Sequence, residues 1–299
     1  METPDDCPKC GEHVEQDPDV LDTWFSSQLW PFATMDFFKV GMESPEMKFY
    51  PTDVLSTARD IMGLWVARMV MSSMYFTKEI PFKNVVIHPT VMGYDGKPMS
   101  KSAGNGVDPL ELMQSYGADG MRFGLLMQVT GSQDFKFNEA KLVSSRNFAS
   151  KIKNAARFVE INLEGFKPAA PQAATDVDKW IFTRLAEVLK AVDKAYANFE
   201  FGEITRLLYS FVWNEFWDWY IEFSKVRTNI REDASTEQKN DRAICQNNLL
   251  FVLEKILKIL QPIMPFVTED IFSRMFAKNH EFLMSQAWPQ PSDFDGLWV

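Results

Sequence analysis

A loop with two lysines and two hydroxyl groups is the segment of this sequence best suited to chemistry. It reads YDGKPMSKSAGNGVDP over residues 94–109 and contains Lys97, Ser100, Lys101 and Ser102. Its glycines and prolines disfavour both helix and strand, so a flexible loop is predicted. Ammonium groups on such a loop can close over a polyphosphate and neutralise charge that develops in a transition state. A solvated surface loop is the alternative, because short Lys/Ser segments are common on protein surfaces.

Two cysteines near the start have the spacing of half a zinc site. Cys7 and Cys10 lie in CPKCGEH, and His13 follows as a further candidate ligand. A closed structural zinc site takes four ligands, and the sequence contains no second Cys-x2-Cys pair. The remaining cysteine, Cys245, is interpreted as a core residue of a helix. The sequence therefore predicts a half site that binds zinc weakly or not at all by itself.

Residues 141–157 are basic, although the chain as a whole is acidic. They contain five Lys or Arg residues and no acid, whereas the formal net charge of the chain is −10. A local basic surface suffices to bind phosphates, so the net charge does not exclude a nucleic-acid partner. Arg146, Lys153 and Arg157 lie near Phe158, which suits a grip on single-stranded RNA by phosphate contact and base stacking. Burial of Phe158 in a core is the alternative.

The elements predicted around these segments change from mixed to helical along the chain. Residues 59–76 carry apolar side chains at helical spacing, and VVIHPTVM (85–92) is typical of a buried strand. Asp108 and Pro109 are typical of a helix start, and the Pro/Ala-rich segment 165–176 is interpreted as a linker. Four helices are predicted after it, over 176–197, 201–228, 238–260 and 265–277. The predicted fold class is α/β followed by an all-helical bundle.

Composition favours a cytoplasmic globular protein. The chain has 299 residues, 46% of them hydrophobic, which is ample for more than one core. No apolar run approaches the ~20 residues that a membrane helix needs, and METPDDCPKC lacks the features of a secretion signal. Three cysteines are too few for a disulfide framework and fit a reducing compartment. No membrane partner is predicted.

The loop and the segments that follow it resemble one enzyme family. GKPMSKSAGN is similar to the KMSKS signature of the class I aminoacyl-tRNA synthetases. The similarity continues through VDPLELMQSYGADGMRF and TGSQDFKFNEAKLVSSRNFASKIKNAARFV to AWP at 287–289. The resemblance implies the C-terminal half of a Rossmann-like catalytic domain, followed by an all-α anticodon-binding helical bundle. It divides the chain into a catalytic part (1–108), a stem-contact helical region (109–170) and the bundle (171–299).

The resemblance also implies roles for individual residues. In this family the KMSKS loop contacts the phosphates of ATP, which implies catalytic roles for Lys97, Ser100 and Lys101 and a requirement for ATP with Mg²⁺. The residues implied to contact ATP are Asp60, His88, Met99 and Lys101. The sequence departs from the family pattern at three positions, with Pro98 in place of the first motif lysine, Pro89 in place of a strand-end glycine and Ala58 in place of another glycine.

Three aromatic-rich segments resemble the valine-specific branch of the family: LDTWFSSQLWPFAT (21–34), TARDIMGLWVAR (57–68) and WNEFWDWYIE (213–222). The resemblance implies an aliphatic pocket walled by Trp24, Ile61 and Trp65, and rigid aromatic walls suit a small apolar volume. Ordinary core packing of these aromatics is the alternative, and WNEFWDWYIEF is itself interpreted as bundle core.

The resemblance implies valine, ATP and tRNA(Val) as substrates and partners, and a monomer. An isoleucine- or leucine-specific synthetase is one alternative, and a non-catalytic tRNA-binding module is another. The second class I signature, HIGH, does not occur in the sequence, and neither does an editing domain. We therefore expect a C-terminal fragment that is inactive by itself, with Zn²⁺ bound only in a longer parent protein.

Overall fold

The computed structural model describes residues 6–99, 104–163, 165–231, 233–277 and 281–297. Ser100 and Lys101 of the predicted catalytic loop lie outside these residues. The chain forms two compact units, Met1–His88 and Pro89–Val299.

The first unit combines short helices with two parallel strands. Its α-helices and strands are α1 (Thr23–Ser27), α2 (Trp30–Ala33), α3 (Phe37–Val40), β1 (Thr52–Thr57), α4 (Ala67–Phe76) and β2 (Phe82–Ile87). Its 3-10 turns are Gly41–Glu43, Pro45–Phe49 and Arg59–Ile61, and a π-helical segment, Met62–Val66, leads into α4. Strands β1 and β2 pair in parallel, with Thr52 opposite Phe82 and Thr57 opposite Ile87.

The second unit is mainly helical. Its elements are β3 (Val91–Met92), α5 (Pro109–Tyr116), α6 (Ala118–Leu126), β4 (Phe135–Lys136), α7 (Glu139–Ile161), α8 (Asp176–Ala197), α9 (Phe201–Ser210), the π-helical segment Phe211–Ile221, α10 (Glu222–Thr228), α11 (Thr236–Leu260), α12 (Pro265–Met275) and the 3-10 turns Leu283–Ser285 and Pro291–Phe294. Strands β3 and β4 pair in parallel. None of the described helices is long and apolar enough to cross a membrane.

Side-chain caps fix the starts of α5, α8 and α11. The Asp108 carboxylate accepts the N–H of Leu110 at 2.8 Å ahead of α5. Capping boxes at Thr175 and Ser235 begin α8 and α11. Such caps satisfy backbone donors that have no partner within the helix, and each contributes about 1 kcal/mol.

The predicted strand 85–92 is interrupted, which is a correction to the sequence analysis. Strand β2 ends at Ile87, and β3 begins at Val91. Pro89 lies between them, has no N–H to donate to a ladder, and therefore favours a break in the strand. The predicted helix 59–76 is helical throughout but begins with 3-10 and π-helical geometry.

The segment interpreted as a linker, 165–176, is irregular but fixed to the bundle. The buried Asn247 side chain accepts the N–H of Ala169 at 2.7 Å, and the buried Asn248 side chain accepts that of Gln172 at 2.9 Å. Both Asn side chains also donate to carbonyls of this segment. Because these hydrogen bonds join the segment to α11, it belongs to the bundle rather than serving as a free tether.

One continuous core extends through the second unit, from Phe123 and Phe148 to Phe294 and Leu297. The aromatic run 213–223 contributes Phe216, Tyr220 and Ile221 to it, as predicted, whereas Trp219 and Phe223 stack on each other at the surface. Cys245 is fully buried, which confirms its interpretation as a core residue.

Candidate functional site

Asp60 and His88, two predicted ATP contacts, lie at one edge of the parallel strand pair. Thr57 and Ile87 are opposite each other where β1 and β2 end. Asp60 follows in the 3-10 turn after β1, and the N–H of His88 donates to the Thr57 carbonyl at 3.0 Å. Both side chains are exposed. Since ligands of open α/β sheets bind beyond the carboxyl ends of the strands, both residues stand at the edge where a nucleotide is expected.

The three predicted wall residues, Trp24, Ile61 and Trp65, are all half-buried. The indole N–H of Trp65 donates to the Ser27 carbonyl at 3.2 Å and so ties the π-helical segment to α1. A second tie joins the same regions, because an Arg68 guanidinium nitrogen lies 3.8 Å from an Asp22 carboxylate oxygen. The partial exposure of all three side chains leaves apolar surface that a small ligand can contact.

Helix α1 and the π-helical segment hold these aromatics in defined positions. Asp22 caps α1 by accepting the N–H of Trp24 at 2.8 Å. Trp65 packs against a small core of Leu55, Val66 and Met69 together with Phe82. Single π-helical segments are rare and frequently lie at functional sites; Trp65 lies in this one, and Ile61 ends the 3-10 turn before it.

The base of the predicted phosphate loop is a closed turn. The N–H of Gly93 donates to the Lys97 carbonyl at 2.8 Å, and the N–H of Lys97 donates to Asp95 Oδ1 at 3.0 Å. From the other side of the loop, the Asn105 amide reaches the Pro98 carbonyl at 3.3 Å. A Cβ on Gly93 would lie 2.9 Å from Asp95 Oδ1, so only glycine fits without a shift. The turn holds Lys97 at the surface, with its side chain exposed.

The side chain of Met99 packs inside the second unit. It is half-buried and packs against the cluster of Leu112, Phe137 and Leu142. Of the predicted ATP contacts, the structure brings Asp60 and His88 together in the first unit, while Met99 belongs to the second.

Three predicted tRNA contacts form a stripe on α7. Arg146, Lys153 and Arg157 are exposed and are separated by seven and four residues, a spacing that puts them on one face of the helix. Arg146 and Lys153 both line a cavity of about 400 Å³ beside Tyr116 and Gly117. We call Arg146, Lys153 and Arg157 the α7 stripe.

A solvent-exposed hydrogen-bond network flanks the α7 stripe. The hydroxyls of Tyr116 and Tyr94 donate to the two carboxylate oxygens of Glu139, at 2.6 and 3.0 Å. The hydrogen bond from Tyr116, followed by that from Tyr94, lowers the pKa of the Glu139 carboxyl group. The hydrogen bond between Tyr116 and Glu139 also raises the pKa of the Tyr116 hydroxyl. The Arg146 guanidinium lies 5.8 Å from the centre of the Tyr116 ring. Tyr116 therefore contacts both Glu139 at the start of α7 and the Arg146 guanidinium of the α7 stripe.

Phe158 and Lys151 differ from the α7 stripe. Phe158 is half-buried on the bundle core, and the ammonium of Lys225 lies 5.9 Å from its ring centre. Lys151 is 13% exposed, lies 3.7 Å from the Trp213 ring centre and pairs with Asp218 at 2.8 Å. The Lys151 ammonium group is therefore held by Asp218 and Trp213, although Lys151 belongs to the same basic run, residues 141–157, as the α7 stripe.

The cysteine pair forms a tight turn. The carbonyl of Cys7 accepts the N–H of Gly11 at 2.8 Å. Backbone N–H groups of Lys9 and Cys10, together with the Cys10 thiol, lower the pKa of the Cys7 thiol, which favours the thiolate that binds metals. His13 approaches Asp6 instead, with 3.9 Å between the nitrogen and oxygen atoms. Within the described ranges, no group of three Cys, His, Asp or Glu residues has metal-site geometry. That the two thiols form half of a zinc site stays a prediction.

Sequence reasoning did not single out a second basic group, formed by Lys225, Arg231, Lys239 and Arg242, which lines one cavity of the bundle. Acidic residues alternate with these cations along the chain and hide the group from a search for basic runs. Only the packing of α10 against α11 brings the four cations together.

Comparisons with known proteins agree with this arrangement. The family model of tRNA synthetases class I (I, L, M and V) matches residues 3–138, and that of the anticodon-binding domain of tRNA ligase matches residues 178–297. The chain belongs to the class I tRNA synthetases. The predicted family membership is thus confirmed.

Curated relatives of this synthetase chain include two bacterial valine–tRNA ligases. The protein of Lactobacillus acidophilus is 44% identical over 290 residues, which cover 95% of this chain and 32% of the relative. The protein of Bacillus subtilis strain 168 is 42% identical over 287 residues, again 95% of this chain and 32% of the relative. The synthetase chain thus spans about a third of the length of these relatives.

Solved structures confirm the predicted fold class. The agnB2 LeuRS of Agrobacterium radiobacter K84, in a ternary complex with tRNA and LeuAMS, matches with a TM-score of 0.74 at 17% identity, over 97% of this chain and 35% of that one. Mycobacterium tuberculosis methionyl-tRNA synthetase, in complex with methionyl-adenylate, matches with a TM-score of 0.73 at 20% identity. The match covers 94% of this chain and 54% of that one.

Proposed function

We propose that this synthetase chain is part of a valine–tRNA ligase, which activates valine with ATP and transfers the valyl group to tRNA(Val). The observation that carries the proposal is the similarity to valine–tRNA ligases, at 42–44% identity over 95% of the chain. Isoleucine- and leucine-specific enzymes are less favoured, because the curated relatives described above are valine–tRNA ligases.

Activation of valine requires groups that bind ATP and neutralise its phosphates. Asp60 accepts the ribose hydroxyls, since a carboxylate can accept two such protons, and His88 contacts the nucleotide at the same strand edge. Lys97, Ser100 and Lys101 act on the phosphates together with Mg²⁺, and Met99 is a further contact of ATP. Support for this assignment comes from the exposed carboxyl edge of β1 and β2 and from the closed turn beneath Lys97.

Valine selection is assigned to Trp24, Ile61 and Trp65. A half-buried indole held by a hydrogen bond, as in Trp65, makes a rigid wall that limits the length of an aliphatic side chain. A wall of this kind separates aliphatic side chains that differ by one methylene by about 1–3 kcal/mol.

Binding of tRNA is assigned to residues 109–170 as the stem-contact region and to residues 171–299 as the anticodon-binding bundle. The α7 stripe contacts RNA phosphates, and Phe158 stacks on a base. We further propose a monomer, in which Zn²⁺ is bound at Cys7 and Cys10 when two more ligands complete the site.

A chimera tests the function. This chain replaces its 287-residue counterpart in the Bacillus subtilis valine–tRNA ligase, and amino-acid-dependent exchange of pyrophosphate into ATP is measured with valine, isoleucine and leucine. We expect exchange with valine at the highest kcat/KM, and its loss in a Lys101→Ala chimera. Preference for isoleucine or leucine would contradict the valine assignment. A folded chimera that binds tRNA but exchanges with none of the three would favour a tRNA-binding module.

A further inference from the structure

An aromatic pocket lies at the surface of the bundle, between the start of α8, the end of the π-helical segment Phe211–Ile221 and α10. Its volume is about 350 Å³. It is lined by three aromatic side chains, one aliphatic side chain and one carboxylate: Trp180, Trp219, Phe223, Val177 and Asp176. We call this space the α8–α10 pocket.

The aromatic rings of the α8–α10 pocket extend beyond what the core uses. Val177 and Trp180 are half-buried against the bundle core. Trp219 and Phe223 are 57% and 45% exposed, and their ring centres are 5.8 Å apart. Val226, three residues after Phe223 and therefore on the same helix face, is 82% exposed. An exposed apolar stripe of this kind is typical of an interaction surface.

Charge and ring chemistry indicate what this surface binds. Asp176 is the one ionisable residue among the described lining residues of the pocket. Its carboxylate is fully exposed, so its ion pair with Lys179, at 3.3 Å, is solvated and weak. The faces of Trp and Phe rings are electron-rich and attract cations. The net charge of −10 on the chain adds a long-range attraction for a basic partner.

The same π-helical segment already holds one cation with this combination of groups. The Lys151 ammonium lies 3.7 Å from the Trp213 ring centre, 5.5 Å from that of Trp217 and 2.8 Å from an Asp218 carboxylate oxygen. Two indoles and a carboxylate thus suffice to hold a basic side chain. The α8–α10 pocket offers two indoles, a further ring and a carboxylate, and none of its described lining residues is Lys or Arg.

We propose that the α8–α10 pocket binds an arginine side chain of a partner protein, with the guanidinium against the exposed rings and its N–H groups on the Asp176 carboxylate. Arginine is favoured over lysine because a planar guanidinium stacks on aromatic faces and still has donors for a carboxylate. This protein-binding site goes beyond the proposed function, since it uses none of the residues assigned individually to ATP, valine or RNA.

NMR titration of the intact chain with short peptides tests the inference. The probe is a blocked alanine peptide with one central arginine, and the matched peptide has glutamine instead. The indole N–H signals of Trp180 and Trp219, assigned with Trp180→Phe and Trp219→Phe, should shift with the arginine peptide at millimolar concentrations. The glutamine peptide should bind at least about tenfold more weakly. The indole N–H of Trp288 donates to Asp193 at 2.8 Å, outside the pocket, and should not shift.

Two pairs of variants separate stacking from charge. Trp219→Ala should weaken arginine-peptide binding, followed at Trp180, by about tenfold. Trp30→Ala removes a 46% exposed indole from the first unit and should leave the affinity unchanged. Asp176→Asn should weaken binding by about threefold, as expected for a solvated ion pair. Asp233→Asn removes a 77% exposed acid outside the pocket and should have no effect.

Several results would overturn the inference. Equal affinities for the arginine and glutamine peptides would show that the pocket does not recognise a cation. Shifts of both indoles with a single-stranded oligonucleotide, and none with the arginine peptide, would assign the pocket to RNA. A dimer in sedimentation that Trp219→Ala dissociates would assign it to a second copy of the chain. Pyrophosphate exchange in the chimera tests the proposed function separately from all of these results.

Discussion

The two units of the molecule bury their apolar residues in different ways. The second unit has one large core beside a small cluster around Leu142, whereas the first has only small clusters among its described residues, around Met69 and Phe32. Large apolar side chains of the first unit remain in solvent, among them Leu21 and Tyr75, both 72% exposed. Burial of apolar area is the main stabilising contribution to folding, so we infer that the second unit is the more stable one. The residues assigned to valine lie in the first unit, as do Asp60 and His88 among those assigned to ATP, and side chains are accessible there.

Thiol reactivity should show the largest difference between the two units. Burial raises the pKa of the Cys245 thiol to about 12, whereas backbone N–H groups lower that of Cys7. Iodoacetamide reacts with the thiolate, so at neutral pH and with chelator present we expect Cys245 to react at least about a thousandfold more slowly than Cys7. Mass spectrometry of timed samples measures both rates. Equal rates would mean that the core around Cys245 opens as readily as the surface turn.

Matched leucines compare the stability of the two cores. Leu253→Ala in the second unit should lower the free energy of unfolding by about 2–5 kcal/mol, because many packed neighbours lose contact. Leu55→Ala in the first unit should lower it by less, since its cluster contains only a few residues. Native-state hydrogen exchange at amides of α11 and β1 reports each effect separately. A larger loss for Leu55→Ala would reverse the proposed order of stability.

Alkaline pH should act on the second unit through Cys245. The folded-state pKa of about 12 lies above the ordinary value of 9.0, so its contribution to stability is fully present below about pH 9 and is lost as pH rises towards 12. Urea unfolding between these pH values should show falling stability, and Cys245→Ala should make the fall shallower. An identical fall in both proteins would assign it to other groups, of which Tyr196 is the first to test because burial raises its pKa to about 12.

Amino-acid choice tests the accessible surface of the first unit. In the Bacillus subtilis chimera, Trp65→Ala should enlarge the pocket and raise the kcat/KM ratio of isoleucine to valine by about tenfold. Trp30→Ala is the control, since Trp30 is 46% exposed and is not among the predicted wall residues. Pyrophosphate exchange measures the ratio, and an unchanged ratio would remove Trp65 from the pocket.

The smallest expected effect concerns the α7 stripe of the second unit. Arg146→Gln with Arg157→Gln should flatten the slope of log affinity for tRNA against log salt by about 1.4–1.8, because each phosphate contact contributes about 0.7–0.9. Circular dichroism checks the fold. Lys190→Gln with Lys194→Gln, at exposed positions of α8, removes the same charge and provides the control. An unchanged slope would exclude this face from the RNA interface.

Local sequence determined the elements and the family. The span 176–197 is the observed α8, Asp108 caps α5 as predicted, and the motifs after Lys97 identify the synthetase family. Helix periodicity, caps and motifs depend on residues close together in the chain, which is why sequence patterns were sufficient.

Only the tertiary structure decided which basic side chains face solvent. Lys151 lies in the same run as Arg146, yet Asp218 and Trp213, more than sixty residues away, hold its ammonium group. The linker segment is likewise fixed by Asn247 and Asn248 of α11. Lys225 of α10 and Lys239 and Arg242 of α11 line one cavity only because these two helices pack together. Such contacts depend on packing between residues distant in sequence, and periodicity along a single segment contains no information about them.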